Sequence, residues 1–192
     1  MGEGGEAGHA DGFDEGYLVR QAQEGYLDAY AELVNRHSLL AYRVALRILG
    51  HHQDAEDVAQ DALVTAWQQL PDFRGESSFS TWLYRIVTRR AVNRINRDRR
   101  HTSTDALSES GTEVPDDSTQ TDLAFERNET VDAVTDAIQS LPPAQRIVVV
   151  LHHLEGLSYA DVATVTGSSV PAVRSQLYRA RRALGSALAE WR

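Results

Sequence analysis

The 192-residue chain contains no cysteine and no lysine. Without cysteine there can be no disulfide, no thiolate zinc site and no thiol-based redox sensing within the chain. Without lysine, each of the 19 basic residues is an arginine, and every cationic contact is a planar fork suited to phosphate and to guanine edges. No apolar run approaches the roughly 18 residues that span a bilayer. The opening "MGEGGEAGHADG" is acidic and glycine-rich, unlike a signal or transit peptide. These absences predict a cytoplasmic protein with no membrane insertion. Glycine-rich phosphate loops, nucleophile motifs and internal repeats are also missing, so neither an enzyme nor a bound cofactor is expected.

What is present is charge, unevenly placed. The formal net charge is -9, which should repel a polyanion, yet its distribution says more than its sum. Residues 1–70 carry 12 acids against 4 arginines, and residues 102–130 carry 8 against 1. Residues 71–101 reverse the balance with 8 arginines and 3 acids, while residues 131–192 are near neutral.

Strand alternation is scarce and helical periodicity is sustained. Tyr30, Leu33, Val34, His37, Leu40, Ala41, Val44 and Ile48 follow the i, i+3, i+4 rhythm of one buried stripe that Gly50 can stop. A second helix is expected from an Asp54 N-cap to about Leu70, and a third from about Ser80 to Arg97. The loop "PDFRGESS" separates them. Beyond Arg100 the sequence is polar and acidic and reads as a linker. Val131, Val134, Ile138 and Leu141 then mark another amphipathic helix. Pro143 suits the first turn of the next, whose stripe is Ile147, Val150, Leu151 and Leu154. The expected fold is all-α: two small helical domains joined by a flexible acidic linker, the second containing a helix-turn-helix.

That motif lies in "LSYADVATVTGSSVPAVRSQLYRARRAL". Ser158 and Asp161 resemble a capping box, Gly167 can take the left-handed turn conformation, and Ser169 can cap the second helix. Val173, Leu177, Ala180 and Leu184 line its inner face, leaving Arg174, Ser175, Tyr178, Arg179 and Arg182 outside. A short buried helix, a glycine turn and a cationic second helix are what major-groove reading requires. The alternative is a solvated surface helix, but no acid accompanies these arginines before Glu190.

A second basic cluster, "FSTWLYRIVTRRAVNRINRDRR", joins Phe79, Trp82 and Tyr84 to Arg85, Arg89, Arg90, Arg94, Arg97, Arg99 and Arg100. Arginines beside aromatics suit opened DNA, although Trp82 and Tyr84 could equally be core. The helix before it sets Asp57, Gln60, Asp61 and Val64 along one face, a pattern suited to a basic protein surface or to plain solvation.

In order, "AYAELVNRHSLLAYRVALRILG", "DAEDVAQDALVTAW", "FRGESSFSTWLYRI" and the C-terminal segment resemble extracytoplasmic-function (group 4) sigma factors of the sigma-70 family. The resemblance implies a tail at 1–13, domain two at 14–100, a linker at 101–125 and domain four at 126–192. It implies core RNA polymerase (β′ clamp helices and β subunit) and promoter DNA as partners, with no stable homo-oligomer. An anti-sigma factor is left open as a further partner. Asp57, Gln60, Asp61 and Val64 match the polymerase-docking surface. Phe73, Arg74, Ser78, Phe79, Trp82, Arg85, Arg89, Arg90, Asn93, Arg94 and Arg97 match the part that reads and melts the −10 element. Arg174, Ser175, Tyr178, Arg179 and Arg182 match the part that reads the −35 element. The linker would thread toward the active centre, and the end at Arg192 fits the minimal two-domain form.

Two other classes compete. A stand-alone helix-turn-helix regulator would bind DNA without polymerase, but it leaves the acidic face and the second basic cluster unused. A metal enzyme could draw on His51, His52, Asp54, Glu56 and Asp57, or on His152, His153 and Glu155. Adjacent histidines on a helix point about 100° apart, however, so neither pair is a natural chelate.

Overall fold

A computed structural model describes residues 14–105 and 129–189. The tail at 1–13 and most of the expected linker, with Glu109, Glu113, Asp116 and Asp117, lie outside the described residues. Where the chain is described it is helical, with no strand.

The N-terminal unit comprises α1 (Glu15–Gln23), α2 (Leu27–Leu49), α3 (His52–Gln69) and α4 (Phe79–Asp105). The stripe on α2 buries Leu33, His37, Ala41, Val44 and Ile48. Gly50 ends the helix at φ 83°, its N–H donating to the Leu46 carbonyl. Leu33, Ile48, Leu83 and Val87 are fully buried in this core, and truncating one such leucine to alanine costs about 2–5 kcal/mol.

Two expected boundaries move. The second predicted helix starts at His52 after an extended His51, with no side-chain cap, so Asp54 is not its N-cap. The Asp54 carboxylate is instead held by Arg94 Nη2 of α4 at 2.7 Å, a charge-assisted contact. Helix α4 also continues past Arg97 to Asp105. Arginine is a good helix former, and Arg94 faces Asp98 one turn on at 3.4 Å.

The C-terminal unit comprises α5 (Glu129–Ser140), α6 (Pro143–Val149), α7 (Tyr159–Thr166) and α8 (Val170–Ala189). Ile138 on α5 and Leu141 just beyond it are buried as expected, but Val134 is exposed and Ala133 and Ala137 face inward. Small residues there let α5 approach α8 and the end of α2. Pro143 does open α6, whose last turn widens into a π turn over Val150–Leu154. The wider turn leaves Leu154 exposed and carries Glu155, the next residue, toward the N-terminal unit.

The helix-turn-helix forms largely as the sequence predicts. Ser158 Oγ accepts from the Asp161 N–H at 3.1 Å and donates to the Asp161 carboxylate at 2.6 Å. Gly167 turns the chain at φ 65°, and Ser169 Oγ accepts from the Ala172 N–H at 3.3 Å. Val162, Ala163, Val165, Val173, Leu177 and Ala180 fill the space between α7 and α8.

Candidate nucleic-acid interface

Each expected surface can now be placed. On α8, Arg174, Ser175, Tyr178, Arg179 and Arg182 are all exposed on one face, and Tyr178 retains 62% of its accessible area. Local contacts brace two of the arginines. Arg179 Nη2 donates to Ser175 Oγ at 2.9 Å. The Arg174 guanidinium lies 5.6 Å above the Tyr159 ring, which in turn packs 4.5 Å from His152. His152 Nδ1 is 2.7 Å from the Leu157 carbonyl. A ring under a guanidinium attracts it by about 0.5–1 kcal/mol at an exposed site and narrows where the fork can point. The sequence reading did not include Tyr159; an aromatic at the start of the supporting helix was the available signal.

The surface on α4 is arranged differently. Ser78 Oγ accepts from the Thr81 N–H at 3.1 Å and caps the helix. The preceding loop is pinned by Gln23, whose Nε2 donates to the Leu70 carbonyl at 3.0 Å and the Phe73 carbonyl at 2.7 Å. Arg74 and Ser78 are exposed. Phe73, Phe79 and Trp82 pack together, Phe73 and Trp82 at 4.9 Å between ring centroids. Phe79 and Trp82 keep only 2% and 8% of their exposure, so both rings belong to the core of this conformation.

The α4 arginines divide into two rows. Arg90, Arg94 and Arg97 face α3 with Asn93, lining a polar cleft with Asp57, Gln60 and Asp61. There Arg90 donates to Thr65 Oγ1 at 2.5 Å and approaches Asp61 at 3.9 Å. Arg85 and Arg89 face the other way, and with Thr88, Val92 and Asn93 they form one wall of a cavity of about 590 Å³. The opposite wall is α6, the α7–α8 turn and the start of α8. On α3, Asp57, Gln60, Asp61 and Val64 are all exposed on one face, with the apolar Val64 side chain 52% accessible.

Among the described residues, one densely hydrogen-bonded acid, Glu155, lies outside every predicted surface. The Glu155 side chain is 1% exposed. Arg43 donates to it twice, from Nε at 3.1 Å and Nη2 at 2.7 Å, and Tyr84 Oη donates at 2.9 Å. Arg47 Nη1 also donates to Glu155 Oε1. Burial alone would push this carboxyl up, but the bonds from Arg43 and Tyr84 and the charges of Arg43 and Arg47 prevail and hold it below the ordinary carboxylate range. Burial and the Glu155 charge push the Tyr84 hydroxyl up, so it remains a donor. The donors come from α2 and α4, 71 to 112 residues away in sequence, so periodicity offered no sign of the cluster.

The histidine clusters are engaged elsewhere. Tyr42 Oη lies 2.7 Å from His52 Nδ1, and Glu155 is committed to the arginines rather than to His152 or His153. Among the described residues, no three histidines or acids converge as a metal site would require.

Comparison with known proteins agrees with this geometry. Residues 33–101 match the family described as Sigma-70 region 2, and residues 132–184 match Sigma-70 region 4. The chain is 37% identical over 177 residues to the RNA polymerase sigma-H factor of Pseudomonas aeruginosa, covering 89% of this chain and 92% of that one. It is 34% identical over 172 residues to the ECF RNA polymerase sigma-E factor of Haemophilus influenzae, covering 85% and 89%. Among solved structures, CnrH in complex with the cytosolic domain of CnrY aligns at TM-score 0.66 and 28% identity over 91% of this chain and 96% of that one. An all-helical chain that pairs a region 2 unit with a region 4 helix-turn-helix is a promoter-specificity factor by architecture. The chain belongs to the sigma-70 family, as an extracytoplasmic-function (ECF) sigma factor that directs promoter-specific initiation by RNA polymerase.

Proposed function

We propose that the exposed α3 face of Asp57, Gln60, Asp61 and Val64 docks on the β′ clamp helices of core RNA polymerase. In the same reading, the loop from Phe73 to Ser78 and the arginines of α4 read and open the −10 element. The outer face of α8 reads the −35 element in the major groove. Residues 14–100 act as domain two, 126–192 as domain four, and 101–125 connect them. The chain works in the cytoplasm as a group 4 sigma factor. It is not an enzyme and needs no cofactor.

The observation that carries this reading is the contrast of neighbouring faces on one small unit. Asp57, Asp61 and Val64 are exposed on α3, while the adjacent α4 presents arginines. A DNA-binding domain that worked alone would gain nothing from acids beside its basic face, since they oppose the phosphate backbone. A factor that must engage both a basic protein surface and DNA needs both. The test is reversal of Asp57 and Asp61 to arginine together. Core affinity is expected to fall about tenfold or more, because like charges placed across an interface cost several kcal/mol. Circular dichroism should be unchanged, since both side chains are exposed. Preserved helical content with undiminished core affinity would remove the docking assignment.

A further inference from the structure

Helix α1 holds no residue of the expected surfaces, yet it is tied to both ends of the loop from Phe73 to Ser78. It is seated on the N-terminal unit by Leu18, Val19 and Ala22, which are buried. Gln23, its last residue, aims its amide at the start of the loop. Nε2 donates to the Leu70 carbonyl at 3.0 Å and to the Phe73 carbonyl at 2.7 Å. The Leu70 carbonyl already accepts from the Phe73 N–H at 3.0 Å, so Gln23 closes the short 3-10 turn Leu70–Asp72 from outside. Carbonyls only accept, so an amide nitrogen with two N–H bonds fits the pair, whereas a carboxylate would be repelled by both. At the far end of the loop, Glu15 Oε2 lies 2.8 Å from His37 Nε2, and the His37 ring packs 5.1 Å from that of Phe79.

Between these anchors the loop has little support of its own. Arg74, Gly75 and Glu76 are exposed, and Gly75 turns at φ 70° with open space where a Cβ would stand. A cleft of about 440 Å³ separates the loop from α1, with Arg20 on one side and Arg74, Gly75 and Ser77 on the other. Close packing fixes a backbone where side chains are buried. Across a cleft, hydrogen bonds must do so instead. Among the described residues, Gln23 is the one side chain from outside the loop and α4 that hydrogen-bonds to this stretch. Its two bonds therefore set the direction in which Arg74 and its successors leave Phe73.

We infer that Gln23 is a positioning residue for −10 selectivity: its amide fixes the Phe73–Ser78 loop in the arrangement that reads DNA, so α1 shapes promoter choice through the loop. This rests on the reading of that loop as part of the −10 reader. A group that reads a base must be held within about half an ångström of its productive place by its supporting contacts. Released from Gln23, the loop samples more arrangements, and ordering it on DNA then costs conformational entropy. The matched sequence loses most, because it alone gains from the correct placement. Neither the outer face of α8 nor the docking residues of α3 take a hydrogen bond from Gln23. Selectivity at −35 and affinity for core should therefore be independent of it.

The test uses the full chain, alone and with core polymerase. Gln23→Met keeps the length and the apolar stem and removes the donors. Gln23→Glu keeps the shape and sets a carboxylate against the two carbonyls. Hydrogen exchange at the Phe73 amide, followed by NMR, should quicken about threefold to tenfold in both, as the loss of one or two ordinary hydrogen bonds predicts. Open complexes are then collected from two template pools, one randomised at the −10 element and one at the −35 element. Both variants should flatten the −10 preference by about threefold to fivefold, at or below the loss of a direct base contact. The −35 preference, core affinity and helical circular dichroism should not change. Arg74→Ala, which alters the loop and leaves the tie in place, should also flatten the −10 preference. Unchanged exchange at Phe73, or a fall in both preferences together, overturns the positioning role. So does faster exchange with an intact −10 preference in the Gln23 variants when Arg74→Ala flattens it. If exchange quickens and none of the three variants alters the −10 preference, Gln23 stands as the anchor of the loop and the −10 assignment of the loop fails.

Discussion

Helices α4 and α8 are both arginine-rich segments of an acidic chain, yet the fold treats them in opposite ways. On α8 the arginines stand outward, with Arg179 and Arg174 steadied by Ser175 and Tyr159. On α4 one row is paired with α3, through Arg94 to Asp54 and Arg90 to Thr65. The other row, Arg85 and Arg89, is exposed and lines one wall of the cleft beside the C-terminal unit. Charge density in the sequence therefore says where a polyanion could bind, and the tertiary contacts say when. The outer face of α8 is open throughout, whereas one row of α4 is engaged within the molecule.

Acidification should break this contrast most completely. The Glu155 carboxyl is held below its ordinary range in the folded chain, so its contribution is fully present at neutral pH. It is lost as pH falls through that lowered range, because protonation then discharges the clasp to Arg43 and Arg47. The contact should weaken by up to about tenfold per pH unit there. The melting temperature should fall more steeply on acidification in the unchanged chain than in Glu155→Gln; equal slopes would remove the ionic account of the contact.

Arginine truncation sharpens the comparison. Arg174→Ala or Arg179→Ala should cost about 1–3 kcal/mol at the −35 element where the fork contacts a base, and relax preference there. A fork that meets only phosphate would instead weaken all sequences alike and flatten the salt dependence. Arg89→Ala should leave DNA binding by the free chain unchanged and weaken promoter opening by the holoenzyme. The salt slope of binding, taken with and without core, separates these outcomes. A loss from Arg89→Ala in the free chain equal to that from Arg174→Ala would erase the difference between the two helices.

The smallest effect is expected at Tyr159. Tyr159→Leu removes the ring beneath Arg174 and should cost about 0.5–1 kcal/mol in −35 discrimination, whereas Tyr159→Phe should keep it. Competition between matched and mismatched −35 duplexes reads this directly. If the leucine variant discriminates as well as the phenylalanine variant, the ring does not position Arg174.

Much of this was legible before any coordinates. The α2 stripe, the stop at Gly50, the Ser158 cap, the turn at Gly167 and the outer face of α8 all follow from short-range rules, because residues three or four apart on a helix share a face whatever the helix packs against. The four motif blocks, taken in order, were enough to reach the family. What periodicity could not reach is which face meets which partner. Asp54 looked like a helix cap and is the partner of Arg94. Glu155 looked like a stray acid beside two histidines, and it is drawn into a clasp by arginines more than a hundred residues away. Trp82, which the sequence left equally open to the core and to bases, is packed with Phe73 and Phe79. Local sequence determined the helices, their caps and the charge each one carries, because those depend on neighbours within a turn or two. Only the tertiary structure decided which charges are spent within the molecule, because an ion pair forms between whichever side chains the fold brings within a few ångströms, however far apart they lie in the chain.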